Sequence, residues 1–343
     1  MNPRNKRAPT MSDVARLAGV HRVTASVVLN NAEARTRVSD ATRQRVRDAA
    51  RQLGYQPNAM ALALRRRRTD IIGFYCGYNA NAHDPFTAEV INGLQKGCAA
   101  HHKDLLLYGD FEGRSADEIY AAVVNGKIDG LVMIPSPIKP VTDRLVDSHL
   151  PIVAIADSLP SIVSVVVDDA AGSRLLAEHL AHKGHRRIMY RKDLFSHTSA
   201  VRRLATFKET AAAYGVEVIE SLPAGPQYSL SAAEQARLLA PTGVRPTAVV
   251  CWQDSNAFIL LDHCERLGLR VPHDVAVAGF DGIKPRAKLA YRLTTIRAPW
   301  EQVAQKAVEM LLALTREEED ADEYIRLPQE TVFPVEFVVG DTT

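Results

Sequence analysis

From residue 71 to residue 279, short apolar runs alternate with helix-length amphipathic stretches, and this alternation limits the fold more than any other feature of the chain. Apolar runs at 71–76, 104–108, 130–134 and 152–156 are separated by helical patterns over 86–101, 115–125 and 140–148. A second series begins near Val163, with helices expected over 170–183, 199–214, 231–240 and 255–267 and strands over 187–190, 217–219, 248–251 and 275–279. Strands apolar on both faces and spaced by helices pair in parallel and are covered on both sides. Two such series predict two similar lobes, and ligands of such sheets bind at the carboxyl ends of the strands, here across a cleft.

The charge is divided just as sharply. Residues 1–70 hold 15 Lys and Arg against 5 Asp and Glu, a net of +10, whereas the rest hold 27 against 35, a net of −8. So basic a block, with Tyr55 as its one aromatic residue, has the footprint of a phosphate-backbone binder. It is patterned rather than low in complexity. After a basic arm (Arg4, Lys6, Arg7), Thr10 and Ser12 can cap a helix carrying Val14, Leu17 and Ala18, which Gly19 stops. A second helix is expected over about 21–29, with Val20, Ala25, Val28 and Leu29 facing inward. Ser39 and Asp40 open a third over 40–53, with Val46, Ala49, Ala50 and Leu53 inside and Gly54 as its stop. Three short helices with a tight Gly turn between the first two describe a helix-turn-helix head. Pro57 then ends the third helix and Asn58 can cap an Ala/Leu segment of about two turns, marginal by itself in water. The run of Arg65, Arg66, Arg67 and Arg68 follows.

Several patterns that suggest other chemistry lead elsewhere. His179, His182 and His185 recur every third residue, but Gly184 breaks the helix before the third, so no metal site is expected. Cys76, Cys98, Cys251 and Cys264 have no Cys-x-x-Cys spacing and read as reduced thiols, which suits a cytoplasmic protein. No phosphate loop, nucleophile elbow, signal peptide or membrane-length apolar run is present, and the reading is of a non-enzyme without cofactor or membrane partner. Residues 316–323 read as an acidic surface loop, and no C-terminal oligomerisation helix is expected.

The stretch Ser12-Asp13-Val14-Ala15-Arg16-Leu17-Ala18-Gly19-Val20, with Thr24, Ser26, Val28-Leu29-Asn30 and then Gly54-Tyr55-Gln56-Pro57-Asn58-Ala59, resembles the head of the LacI/GalR repressors. The resemblance extends over nearly the whole chain and implies a periplasmic-binding-protein-like large domain of α/β class. It places the head at 1–57, a hinge helix and basic linker at 58–70, and an effector-binding and dimerisation domain at 71–343. Lobe one would comprise about 71–160 plus 297–328, and lobe two about 161–296 plus 329–343. In the family the second helix lies in the major groove, which puts Arg22 and Val23 at the positions that choose the operator. Arg22 suits a bidentate guanine contact and Val23 a thymine methyl. The resemblance also implies DNA contacts from Thr10, His21, Thr24, Ser26, Asn30, Tyr55, Asn58 and Ala61, with Leu64 as a minor-groove wedge from a hinge that orders on DNA. The chain departs from the family at His21, usually Ser, at Val27, usually Arg, and at Leu62, often Arg.

By the same resemblance, effector contacts fall to Phe86 in Asp84-Pro85-Phe86, Asp157, Arg203 in Arg203-Leu204-Ala205-Thr206-Phe207, Gln253 in Gln253-Asp254, Asp281 in Gly279-Phe280-Asp281, and Trp300 after Leu293-Thr294-Thr295-Ile296. Tyr75 and Tyr78 are further candidates for ligand selectivity. Carboxylates, an Arg fork and aromatic faces suit a sugar. The expectation is a homodimeric repressor on a palindromic operator with a carbohydrate effector. A nucleobase-sensing regulator is the alternative within the class, and a sugar-processing enzyme a remote one.

Overall fold

The computed structural model describes residues 7–30, 38–76, 84–108, 113–135, 139–195, 197–225, 228–285, 291–317 and 327–343. Arg4, Lys6 and Tyr78 lie outside these. The chain divides into two compact units, Met1–Thr69 and Asp70–Thr343.

In the first unit, α1 (Met11–Ala18), α2 (Arg22–Leu29) and α3 (Asp40–Leu53) enclose a small core of Val14, Ala25, Val28, Val46, Ala49 and Ala50. Thr10 and Asp13 form a reciprocal capping box on α1, and Gly19 and Gly54 end α1 and α3 in the left-handed conformation that glycine adopts without a Cβ penalty. Leu17, expected on the inner stripe, is 47% exposed, because Ala15 takes the inward position beside Val14 and Ala18. A fourth helix, α4 (Ala59–Arg66), is capped by Asn58, whose Oδ1 accepts from the N–H groups of Met60 (2.9 Å) and Ala61 (3.2 Å).

The second unit starts with β1 (Ile71–Cys76), α5 (Pro85–Ala100), β2 (Asp104–Leu107), α6 (Ala116–Val123), β3 (Gly130–Ile134), α7 (Lys139–Val146), β4 (Ile152–Ile155) and β5 (Val163–Val167). It continues with α8 (Asp169–His182), β6 (Arg187–Arg191), α9 (Thr198–Ala213), β7 (Glu217–Ser221), α10 (Ala232–Leu238), β8 (Ala248–Cys251), α11 (Asp254–Arg266) and β9 (Ala276–Ala278). After β10 (Thr295–Arg297), α12 (Trp300–Glu317), β11 (Glu330–Phe333) and β12 (Glu336–Val338) close it. The first sheet has the order β11-β5-β4-β3-β1-β2 and the second β7-β6-β8-β9, each wholly parallel, while β10 and β12 pair antiparallel.

Two expectations need correction. The boundary between lobes lies later than expected, because β5 pairs with β4 and β11 pairs with β5, so residues 163–167 and 330–333 complete the first sheet rather than opening and ending the second lobe. The spacing gave no helix after Trp300, yet α12 runs for 18 residues and takes Arg316 and Glu317 into its last turn. Residues 318–323 of the expected acidic loop lie outside the described residues.

Helix α12 packs along α5 at a closeness that two glycines permit. A Cβ at Gly93 would stand 2.3 Å from the backbone oxygen of Glu301, and one at Gly97 3.0 Å from the Val308 Cβ. Backbone cannot give way as a side-chain tip does, so Gly93→Ala must push the two helices apart. It is expected to destabilise the protein by about 2 kcal/mol, read as a lower urea midpoint with an unchanged slope.

Candidate functional site

Two sets of residues carry the expected chemistry, one in each unit. In the head, Arg22 and Val23 stand exposed at the start of α2, Val23 at 63%. Ala25 and Val28 anchor the opposite face of the same helix. His21 caps α2, its Nδ1 accepting from the Val23 N–H at 3.3 Å. Thr10 is engaged in the capping box, Asn30 donates to the Ser26 hydroxyl at 3.0 Å, and Tyr55 is half-buried against the head core. Thr24 is half-buried, and Asn58 and Ala61 are exposed. Along α4, Met60 and Leu64 are 69% and 85% exposed, while Leu62 and Ala63 are half-buried.

In the large unit, the centre of the arrangement is Arg203 on α9, only 3% exposed. Its Nε donates to Asp169 Oδ1 at 2.7 Å, and its Nη1 donates to the Trp252 carbonyl at 2.8 Å and to Asp281 Oδ1 at 3.3 Å. The guanidinium lies 3.6 Å above the Phe280 ring. Asp281 follows β9 with φ of 112°. Burial pushes its carboxyl up to about 7 against the pull of Arg203, and the charges of Asp169 and Asp84 add to the rise. Asp169 is raised for the same reason, burial outweighing Arg203.

Asp281 is held in place from behind. Asp254, the first residue of α11 and fully buried, accepts from the Thr295 hydroxyl (2.6 Å) and the Ile283 N–H (3.0 Å). The Asp254 N–H donates to the Phe280 carbonyl at 2.7 Å. A Cβ at residue 279 would lie 2.1 Å from Asp254 Oδ1, so only glycine fits there. Burial, reinforced by Asp281, holds the Asp254 carboxyl well above the usual carboxylate range.

Asp157, expected to touch an effector, makes a bond across the lobes. Leaving β4, its Oδ1 accepts from the Ser199 N–H at 2.7 Å and so caps the start of α9, where His197 provides no cap of its own. Arg202 on α9 also reaches the first lobe, bonding the Ser158 hydroxyl and pairing with Glu330 at 3.0 Å. Asp84, which caps α5, accepts from the Ser255 hydroxyl on α11 at 3.3 Å. Phe86 and Trp300 meet edge to face, centroids 4.9 Å apart, and are 8% and 1% exposed. Trp300 is thus largely a core residue rather than an open stacking face. Tyr75 is also in the core, 5% exposed. Gln253 is half-buried at the start of α11 and makes no capping bond.

The sequence reading missed a second cluster beside Arg203. Asp193, just past β6, accepts from His197 through both the ring Nδ1 (2.7 Å) and the backbone N–H (3.0 Å). The Tyr228 hydroxyl donates to the other Asp193 oxygen at 3.2 Å. The His197 ring lies nearly parallel to Trp252, at 14° with centroids 5.8 Å apart. Burial works to lower the His197 pKa, but the bond to Asp193 and the charge of Asp157 raise it overall. Asp193 and Trp252 follow directly on strands β6 and β8, so the carboxyl-end rule would have found both. Tyr228 sits on a loop with φ of 52°, which no periodicity signals. The three spaced histidines have separate partners: His179 bonds Thr343, His185 bonds Thr247, and His182 meets the Tyr214 ring. All four cysteines are buried.

A raised carboxylate pKa has a defined sign. Between the unfolded value near 4 and a folded value of about 7, the folded state holds the proton more tightly, so burial of Asp281 loses stability as pH rises through that window. Asp281→Asn removes the titration. The melting temperature of the variant relative to wild type is expected to increase from pH 5 to pH 8, as measured by thermal unfolding in matched buffers.

Residues 10–58 match the bacterial regulatory proteins of the lacI family, and residues 177–343 match a periplasmic binding protein-like domain. The HTH-type transcriptional repressor PurR of Vibrio vulnificus is 30% identical over 318 residues, covering 90% of this chain and 93% of its own. The HTH-type transcriptional regulator GalR of Escherichia coli is 31% identical over 311 residues, covering 89% of each. The crystal structure of the Lac repressor dimer bound to operator and the anti-inducer ONPF superposes with a TM-score of 0.79 at 24% identity, covering 98% of this chain and 99% of that one. Among the described residues, no helix is long and apolar enough to cross a membrane.

Proposed function

Because this chain belongs to the lacI family of bacterial regulatory proteins, a DNA-binding transcriptional repressor, we propose that it acts as a cytoplasmic homodimer on a palindromic operator and that its cleft takes a neutral carbohydrate effector. The observation that carries the effector reading is the Arg203–Asp281 pair at the carboxyl ends of the second sheet. An Arg fork and carboxylates beside aromatic rings match the hydroxyls and C–H face of a sugar. Carboxylates predominate around Arg203: Asp169 and Asp281 pair with it, and Asp84, Asp157 and Asp193 lie close by. That excess favours a hydroxyl-rich neutral ligand over a phosphorylated one. A nucleobase is the second reading, favoured by the nearly parallel His197 and Trp252 rings, which offer planar apolar surface.

The bonds of Asp157 to Ser199 and Asp84 to Ser255 join the lobes, so an effector that changes lobe closure makes or breaks them. Operator and effector then act as two ligands of one equilibrium, each altering the affinity of the other by the same factor. In the head, Arg22 and Val23 read base edges. The α4 helix orders on DNA, with Leu64 as the wedge.

Thermal shifts of the full chain with D-galactose, D-ribose, D-galactose 6-phosphate, hypoxanthine and guanine test the effector class. A neutral sugar is expected to raise the melting temperature and the 6-phosphate to have little effect. Stabilisation by a nucleobase alone would transfer the conclusion to the second reading. Gln253→Ala serves as the site control, since Arg203→Ala would strand two buried carboxylates and unsettle the fold. The control is expected to bind the active probe about tenfold more weakly and to bind operator unchanged. On the DNA side, Arg22→Ala should weaken cognate operator binding by about 1–3 kcal/mol and relax preference at one base pair. An equal loss on random-sequence DNA would make Arg22 a phosphate contact.

A further inference from the structure

The second lobe carries a surface pocket of about 390 Å³ at the end of its sheet away from the cleft. Arg187 and Glu217, on its rim, are the first residues of β6 and β7, and Pro246 shortly precedes β8. The pocket therefore lies at the amino ends of the second sheet. Asp193, Trp252 and Asp281 follow the same sheet's strands at their carboxyl ends, so the two places share no residue.

Parallel pairing sets Arg187 opposite Glu217 and Met189 opposite Ile219, so these four side chains share one face. Helix α10 covers that face, with Leu238 in one core with Met189. Ala236 and Ala240 contribute only a methyl each, and the space they leave is walled by Ile219, Val244 and Pro246. Val244 is 56% exposed, so this apolar wall opens to solvent.

The charge on the rim is unbalanced. Arg187 Nε lies 3.3 Å from Glu217 Oε2, yet it is buried without a hydrogen bond. A buried donor without an acceptor calls for a partner. Arg237 makes a long bond, from Nη1 to the Glu220 carbonyl at 3.4 Å. The Glu220 carboxylate is engaged by Lys192 (2.9 Å) and Lys208 (2.6 Å), and among the described residues no carboxylate pairs with Arg237. Two guanidiniums against one carboxylate leave a net positive charge beside the apolar wall.

We propose that this pocket is a second ligand site, which takes a small monocarboxylate with an aromatic or branched apolar body. The ligand's carboxylate accepts from Arg187 and Arg237, whose planar forks match its geometry, and its body covers the apolar wall. Glu217 on the same rim repels a doubly charged phosphate. A wall so poor in acceptors offers little to the hydroxyls of a sugar. The lobe then carries a ligand site at each end of its sheet, and this one stands whether or not the cleft takes a carbohydrate.

The test titrates the ¹⁵N-labelled full chain with benzoate, isovalerate and the neutral benzamide. The Nε–H cross-peaks of Arg187 and Arg237 are assigned with Arg187→Gln and Arg237→Gln. At least one of the two acids is expected to shift both peaks to saturation, and benzamide to leave them in place. Arg237→Gln breaks no ion pair, so its melting temperature should equal that of the wild type while its affinity for the acid falls about tenfold. Ala236→Met, at an exposed helix position, should fill the pocket and abolish binding with the melting temperature unchanged. Undiminished binding in either variant overturns the proposal, as do equal shifts by benzamide or peaks that stay fixed with both acids. Gln253→Ala, in the cleft, should bind the acid as the wild type does. Weaker binding there would move the acid to the effector site and also overturn the proposal.

Discussion

Arg203 is the constraint on which the inner wall of the second lobe depends. One fully buried guanidinium joins α9 to α8 through Asp169, to the end of β8 through the Trp252 carbonyl, and to the turn after β9 through Asp281 and the face of Phe280. A buried charge is tolerated only when its partners are close and well placed, and removing one member of such a group typically costs about 3–5 kcal/mol. Burial lifts Asp169 and Asp281 above ordinary carboxylates against the pull of Arg203, and the neighbouring carboxylates add to the rise. The site is therefore a compromise. It combines a preorganised fork with a carboxyl group that resists ionisation.

Around this hub, polar contacts between the lobes are few and specific. Asp157 caps a helix of the other lobe, Arg202 reaches Ser158 and Glu330, and Asp84 meets Ser255. Each involves a residue at the end of a strand or near the first turn of a helix, where backbone donors and short polar side chains are available. Such contacts are worth little singly. The head is built on a different principle, a core of small residues whose outward faces bear Arg22, Val23 and the α3 arginines.

Much of the architecture was legible in the sequence because its signals are local. Capping residues and glycine stops marked the head helices: Thr10, Ser39, Asn58, Gly19 and Gly54 all act where the chain places them, whereas Ser12 lies inside α1. Strand–helix alternation located the parallel elements because periodicity records which residues face inward, and it did so within a few residues at most boundaries. Resemblance pointed to Arg203, Asp281, Asp157, Phe86 and Trp300, and of these Arg203 and Asp281 meet directly, as do Phe86 and Trp300.

What the sequence could not decide was partnership. Nothing local in Val163 to Val167 says that the strand completes the first sheet, because that depends on the edge that β4 leaves open. Nor does the sequence tell that Asp157 would cap α9, that Trp300 and Tyr75 would be buried, or that His197, Asp193, Tyr228 and Trp252 would gather beside Arg203. Residue type and spacing fix secondary structure and amphipathic faces, which are short-range properties of the chain. The partners of each buried charge and donor lie tens of residues away, and only tertiary packing selects them.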